Sequence, residues 1–118
     1  MKRIYFFNLI ILFTSLQTYA GICTGHCKAK YGRGTSITNV CATGCLQFNI
    51  SLRDIIYEYG RPQSKDEQRS FLNEALSSCK ENSYGWNRYR ECRGLNCNGA
   101  HSKGCYKEYI TAWKKYRL

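Results

Sequence analysis

Proline occurs once in this chain, at Pro62, and carboxylates occur eight times against 18 Lys plus Arg. There are two histidines, His26 and His101, and no stretch alternates apolar and polar residues as a half-buried strand does. No segment is of low complexity, and nothing repeats beyond a doubled C-x3-C. Past residue 20 no apolar run is long enough to span a bilayer, which takes about 20 residues. A length of 118 residues excludes a multidomain enzyme and leaves room for one domain. The scarcity of acids and histidines also narrows catalysis. Four of the eight acids fall between Asp66 and Glu81, where they read as a solvated, capped helix face, and nothing sets their pKa values apart as an acid/base pair requires.

What is present is a leader, a cysteine set and positive charge. Lys2 and Arg3 precede an apolar run from Ile4 to Leu16, and Thr18-Tyr19-Ala20 forms a small-x-small cleavage site, so residues 1–20 read as a secretory signal peptide. Asn8 and Thr14 dilute the run, and a membrane anchor is the poorer reading. The expected mature chain, 21–118, keeps all eight cysteines and 16 of the 18 basic residues, for a net charge of +8. An even cysteine count in an exported chain predicts four disulfides, in an extracellular or, for a bacterium, periplasmic protein. These cross-links supplement a modest core.

Cys23-x3-Cys27 and Cys41-x3-Cys45 each place two sulfurs on one helix face, one turn apart. If the two helices run antiparallel, partners share a constant index sum, and Cys23 with Cys45 and Cys27 with Cys41 both satisfy it. The midpoint falls in Gly32-Arg33-Gly34, a reversal signal, and Thr35 or Ser36 can cap the second helix. That helix continues along Cys41, Cys45, Phe48, Leu52, Ile55 and Tyr59 until Gly60 and Pro62 stop it. A third helix opens on the capping box Ser64-Lys65-Asp66-Glu67 and carries Phe71, Leu72, Ala75, Leu76 and Cys79 on one stripe. A fourth is expected from about Ser102 to the end, with Cys105, Tyr106, Tyr109, Ile110, Trp113 and Tyr116 on one side. The Gly- and Asn-rich stretch between them reads as irregular, with one helical turn near Tyr89. The expected fold is therefore a small, disulfide-rich, all-α domain of about four helices that begins with an antiparallel helical hairpin.

The doubled C-x3-C, with 13 residues between its halves, resembles the α-hairpinins, helix-turn-helix peptides with antimicrobial, protease-inhibitory or channel-blocking members. The resemblance covers residues 23–45 and implies the pairs Cys23–Cys45 and Cys27–Cys41. Twin C-x3-C chaperones of the mitochondrial intermembrane space share the spacing but lack a secretory leader. The later four cysteines fit neither family and can pair in three ways. The pairing expected is Cys79 with Cys105, stapling the third helix to the fourth, and Cys92 with Cys97, closing a loop over Arg93 to Asn96. In some inhibitory hairpinins a basic turn residue is the bait, which makes Arg33 the corresponding candidate here, although its flanking glycines loosen the rigid loop that inhibition needs.

Cys23, His26, Cys27, His101 and Cys105 have spacings that suit zinc, but oxidised thiols coordinate nothing and cannot act as nucleophiles. No metal, cofactor or enzymatic activity is expected, and both histidines are assigned to the surface. Charge is more telling: residues 83–118 carry eight basic and two acidic side chains. Arg88, Arg90 and Arg93 lie among Tyr84, Trp86 and Tyr89, and Lys107, Trp113, Lys114, Lys115 and Arg117 follow. Cations beside amphipathic rings suit an anionic membrane, glycan or acidic protein surface, and export makes nucleic acid the less available partner. The leading expectation is a secreted effector- or defence-like binding protein. The alternatives are a toxin-like or ligand-like module for one receptor and a serine protease inhibitor using Arg33. Asn49-Ile50-Ser51 is a glycosylation sequon.

Overall fold

The computed structural model describes residues 21–118, so the signal-peptide reading of residues 1–20 lies outside the described residues. Those described form four α-helices and no strand. Residues 21–31 are helical (α1), followed by α2 (Ser36–Tyr59), α3 (Lys65–Glu81) and α4 (Cys97–Lys115). Disulfides join Cys23 to Cys45 and Cys27 to Cys41 within the α1/α2 hairpin, Cys79 to Cys105 between α3 and α4, and Cys92 to Cys97 at the start of α4.

The ends of the helices follow their local chemistry. Gly32 and Gly34 both take positive φ and turn the chain around Arg33. Thr35 caps α2 by accepting from the Thr38 amide at 3.1 Å, while the Thr38 hydroxyl donates to the Gly32 carbonyl and ties the turn to the helix. Ser64 caps α3 through the Glu67 amide at 3.1 Å. The fourth helix starts five residues earlier than its pattern suggests, because Asn96 caps it by accepting from the Gly99 amide and the Cys92–Cys97 bridge pins its first residue. The connection before it holds two 3-10 turns, Trp86–Arg88 and Arg90–Cys92, on either side of Tyr89. Asn87 and Asn98 clasp this connection to α4, each side-chain oxygen accepting from the other residue's amide at 2.9 and 3.0 Å.

The centre of the molecule is the crossing of α2 and α4, and it is built from the smallest residue. An added Cβ on Gly44 would lie 2.2 Å from the His101 carbonyl oxygen, and one on Gly104 would lie 2.0 Å from that of Cys41. Two helix backbones therefore touch with no side chain between them. The residue after each glycine is bridged outward, Cys45 to α1 and Cys105 to α3. Each outer sulfur also rests on the opposite glycine's carbonyl, Cys23 Sγ 3.2 Å from Gly104 and Cys79 Sγ 3.3 Å from Gly44. Disulfide sulfurs carry no proton, so these are close S···O contacts and not hydrogen bonds.

The two hairpins thus relate as an approximate two-fold pair about the glycine crossing. Cys23, Cys27, Cys41 and Cys45 in the first correspond to Cys79, Ser83, His101 and Cys105 in the second. Where the first hairpin has its Cys27–Cys41 bridge, the second has a hydrogen bond between Ser83 Oγ and His101 Nδ1 at 2.6 Å. This repeat escapes a search for cysteines because two of its four positions are not cysteine.

The apolar core lies below the crossing, where Phe48, Ile55, Phe71, Leu72, Ala75 and Ala112 are buried, flanked by the half-buried Leu52, Ile56, Leu76, Tyr109 and Trp113. The expected inner face of α4 is rotated relative to the real one. The buried stripe is Cys97, Ala100, His101, Gly104, Cys105, Glu108 and Ala112, whereas Tyr106 and Tyr116 are exposed. The reason is the close crossing: the face nearest the partner helix carries the smallest side chains, and the aromatics flank it. Tyr109 is only half-buried, with its hydroxyl donating to Asn73 Oδ1 at 2.7 Å. Tyr59, expected on the α2 seam, is 61 % exposed because it lies at the helix end.

Candidate functional site

The residues proposed for binding are not gathered on one patch. Arg88, Arg90 and Arg93 are exposed on the connection before α4, whereas Lys114, Lys115 and Arg117 are exposed at its far end. At 1.5 Å per residue the 19-residue helix holds these groups about 27 Å apart. Trp113 is half-buried against the core and serves packing as well as surface.

Lys107 belongs to a different grouping, one that the charge count along the chain does not show. His26 and Lys30 lie four apart on α1, and Lys103 and Lys107 lie four apart on α4, so each pair shares a helix face. The packing of α1 against Gly104 turns the two faces toward each other. Lys30 is held below its ordinary pKa, first by the close approach of the Lys103 side chain, then by slight desolvation and the Lys103 charge. His26 is likewise lowered, by partial burial and then by the charges of Lys107, Lys30 and Lys103. No carboxylate is among the groups acting on either residue. Three ammonium groups and an imidazole from two helices converge on this face.

His101 corrects the assignment of both histidines to the surface: it is 1 % exposed. Its ring stacks on Trp86 with centroids 5.5 Å apart, and its Nδ1 shares a hydrogen bond with Ser83 Oγ at 2.6 Å. Burial lowers its pKa to about 4, so the ring is neutral at neutral pH. Removing the hydroxyl leaves a buried ring nitrogen without its partner. Ser83→Ala is accordingly expected to lower stability by about 1–3 kcal/mol at pH 7, read as a drop in the midpoint of chemical denaturation.

The residues that suggested zinc fall into two separate groups, Cys23 and Cys27 lying with Cys45, and His101 and Cys105 lying with Cys79. Every one of those sulfurs is half of a disulfide and offers no thiolate. His26 belongs to neither group, so the five-residue ligand set is not assembled. Arg33 is exposed at the tip of a tight turn between two positive-φ glycines, unlike the extended bait of an inhibitory loop.

The second polar feature is inside. Glu108 is 1 % exposed, and its pKa is raised to about 7 by burial, with Asn49 and the Lys115 charge pulling it partly back. Asn49 stands near enough to favour the carboxylate, yet Asn49 Nδ2 and Glu108 Oε2 are both buried without a hydrogen-bond partner. The sequon at Asn49 meets this packing directly. Asn49 itself is half-buried, with its Nδ2 turned inward toward Glu108.

Comparison with protein-family models, curated proteins and solved structures finds no match to this chain.

Proposed function

We propose that this is an exported, non-catalytic binding protein that attaches to anionic surfaces through the cationic face of α1 and α4. The observation that carries the reading is the approach of Lys30 to Lys103, with Lys107 and His26 beside them. Like charges brought together without a carboxylate raise the local potential and favour an anion that bridges them. Four disulfides are compatible with an extracellular setting. The hairpin's likeness to α-hairpinins, some of them defence peptides, agrees with a defence- or effector-like role and extends over residues 23–45 only. Arg88, Arg90 and Arg93 at one end of α4 and Lys114, Lys115 and Arg117 at the other lengthen the positive track for a polymeric or membrane partner.

The test compares two triple variants that each remove three charges. Lys30→Gln, Lys103→Gln and Lys107→Gln together are expected to weaken binding to a sulfated glycan or to vesicles containing anionic lipid about tenfold at ~0.15 M salt. The salt dependence should also become shallower. Arg88→Gln, Arg90→Gln and Arg93→Gln should have the smaller effect. Equal losses would show that net charge and not this face governs attachment, and no loss in either would favour a receptor-specific ligand.

A further inference from the structure

The Cys92–Cys97 bridge closes a loop over residues 93–96 whose backbone is fixed throughout while its side chains stand in solvent. The Leu95 amide donates to the Cys92 carbonyl at 2.9 Å, Arg93 takes φ −60° and ψ 121°, and Gly94 takes φ 79°. That bond and those angles make a type II turn with Arg93 and Gly94 at its corner. Both cysteines are buried and pack with Val40 of α2 and with Trp86, which anchors the turn in the body of the protein. Asn96 then caps α4 and fixes the other end.

None of residues 93–96 is buried. Leu95 is 42 % exposed, and Arg93 has no ion-pair partner, the salt bridge among the described residues being that of Arg69 with Asp66. Arg88 and Arg90 are exposed on the preceding turns, with Glu91 as the one carboxylate between them and the loop. Pinning the first residue of α4 accounts for the bridge and for neither side chain. A rigid backbone that presents an unpaired guanidinium and an apolar group two residues apart has the properties of an interface anchor, because its ordering precedes any partner.

We propose that this loop is a docking element for a partner protein, with the Arg93 guanidinium entering a carboxylate-bearing pocket and Leu95 resting on apolar surface at its rim. Charge selects the carboxylate, to which a guanidinium makes paired hydrogen bonds that an ammonium does not reproduce. Shape selects a protein: one cation held at the corner of a rigid turn suits a concave site, whereas a membrane or a glycan chain is met by charges spread over a face. The element is separate from the α1/α4 face, so either reading can fail without the other.

The probe is a set of short peptides selected from a random displayed library for binding to the folded, oxidised protein. The selected sequences are expected to carry Asp or Glu beside an apolar residue, and the tightest of them, made synthetically, should shift the NMR amide signals of residues 93–96. Arg93→Lys keeps the charge and should weaken that peptide about tenfold, whereas Lys30→Gln on the cationic face should change it by less than about twofold. Gly94→Ala separates rigidity from contact, since nothing lies within 4 Å of the added Cβ and only the positive φ opposes alanine. With Arg93 and Leu95 both intact, its affinity should fall about threefold. Equal binding by Arg93→Lys would mean that charge alone is read, and full affinity in Gly94→Ala that the loop's rigidity serves only α4. Peptides that shift the α1/α4 face instead, no selectable binder, or a sulfated glycan or anionic vesicle that shifts residues 93–96 more strongly than any selected peptide would remove the docking element. Each of these overturns the proposal.

Discussion

Replacing Gly104 with alanine is expected to destabilise the protein by more than about 4 kcal/mol, beyond the usual 1–3 kcal/mol of overpacking. The added methyl meets the Cys41 carbonyl oxygen at 2.0 Å and the Cys45 amide nitrogen at 3.0 Å, all backbone atoms. Neither neighbour can move aside easily, because Cys41 and Cys45 are each tied to α1 by a disulfide. Gly44→Ala should behave alike, since its methyl meets the His101 carbonyl oxygen at 2.2 Å. The sign is opposite to helix propensity, which favours alanine by about 1 kcal/mol. Gly25, helical and with nothing within 4 Å of its added Cβ, is the control. Gly25→Ala should be neutral or stabilising by up to ~1 kcal/mol. Denaturation with all bridges intact decides it: a Gly104→Ala protein as stable as Gly25→Ala would disprove the close crossing.

Glu108→Gln is expected to stabilise the protein by about 3 kcal/mol at pH 7 and above while leaving it nearly unchanged at pH 4.5, at 1.36 kcal/mol per pKa unit. Folding raises the Glu108 pKa to about 7 from 4.5, so the fold prefers the protonated acid. Its contribution is complete below pH 4.5 and is lost as pH rises through 7. Glutamine keeps the neutral form at every pH. His101 works in the opposite sense, since burial lowers its pKa to about 4 from 6.5 and the fold prefers the neutral ring. That contribution is complete above pH 6.5 and falls away toward pH 4, again by about 3 kcal/mol. In the parent protein the two slopes nearly cancel between pH 4.5 and 6.5. Glu108→Gln should therefore unmask the histidine: its stability should climb across that window where the parent's stays level. A difference between variant and parent that does not change with pH would mean that Glu108 titrates normally. For the same reason a His26→Ala, His101→Ala double variant should not keep full stability, as two surface histidines would allow.

The α1/α2 hairpin was legible because its signals are local. Cysteines four apart declare a helix face, the Gly32-Arg33-Gly34 turn sets the reversal, and Thr35 supplies the cap. The capped start of α3 and the Gly60 stop of α2 are local in the same way. The start of α4 was hidden because asparagine and glycine, which usually mark loops, here supply the cap and the first turn. The inner face of α4 is not marked by its large apolar residues, because the closest approach is made at Gly104 and the rest of the buried stripe includes small side chains such as Ala100 and Ala112.

The sequence by itself determined the all-α class, the number of helices, their main boundaries and the level pairing of the hairpin cysteines, since each depends on residues within a few turns of one another. Only the tertiary structure decided which faces meet. It set Gly44 against Gly104, gave Ser83 and His101 the place of a second bridge, buried Glu108 beside Asn49, and brought Lys30 to Lys103 across two helices. Such neighbours are distant in the chain, and helix periodicity says which residues share a face but not which face another helix will cover.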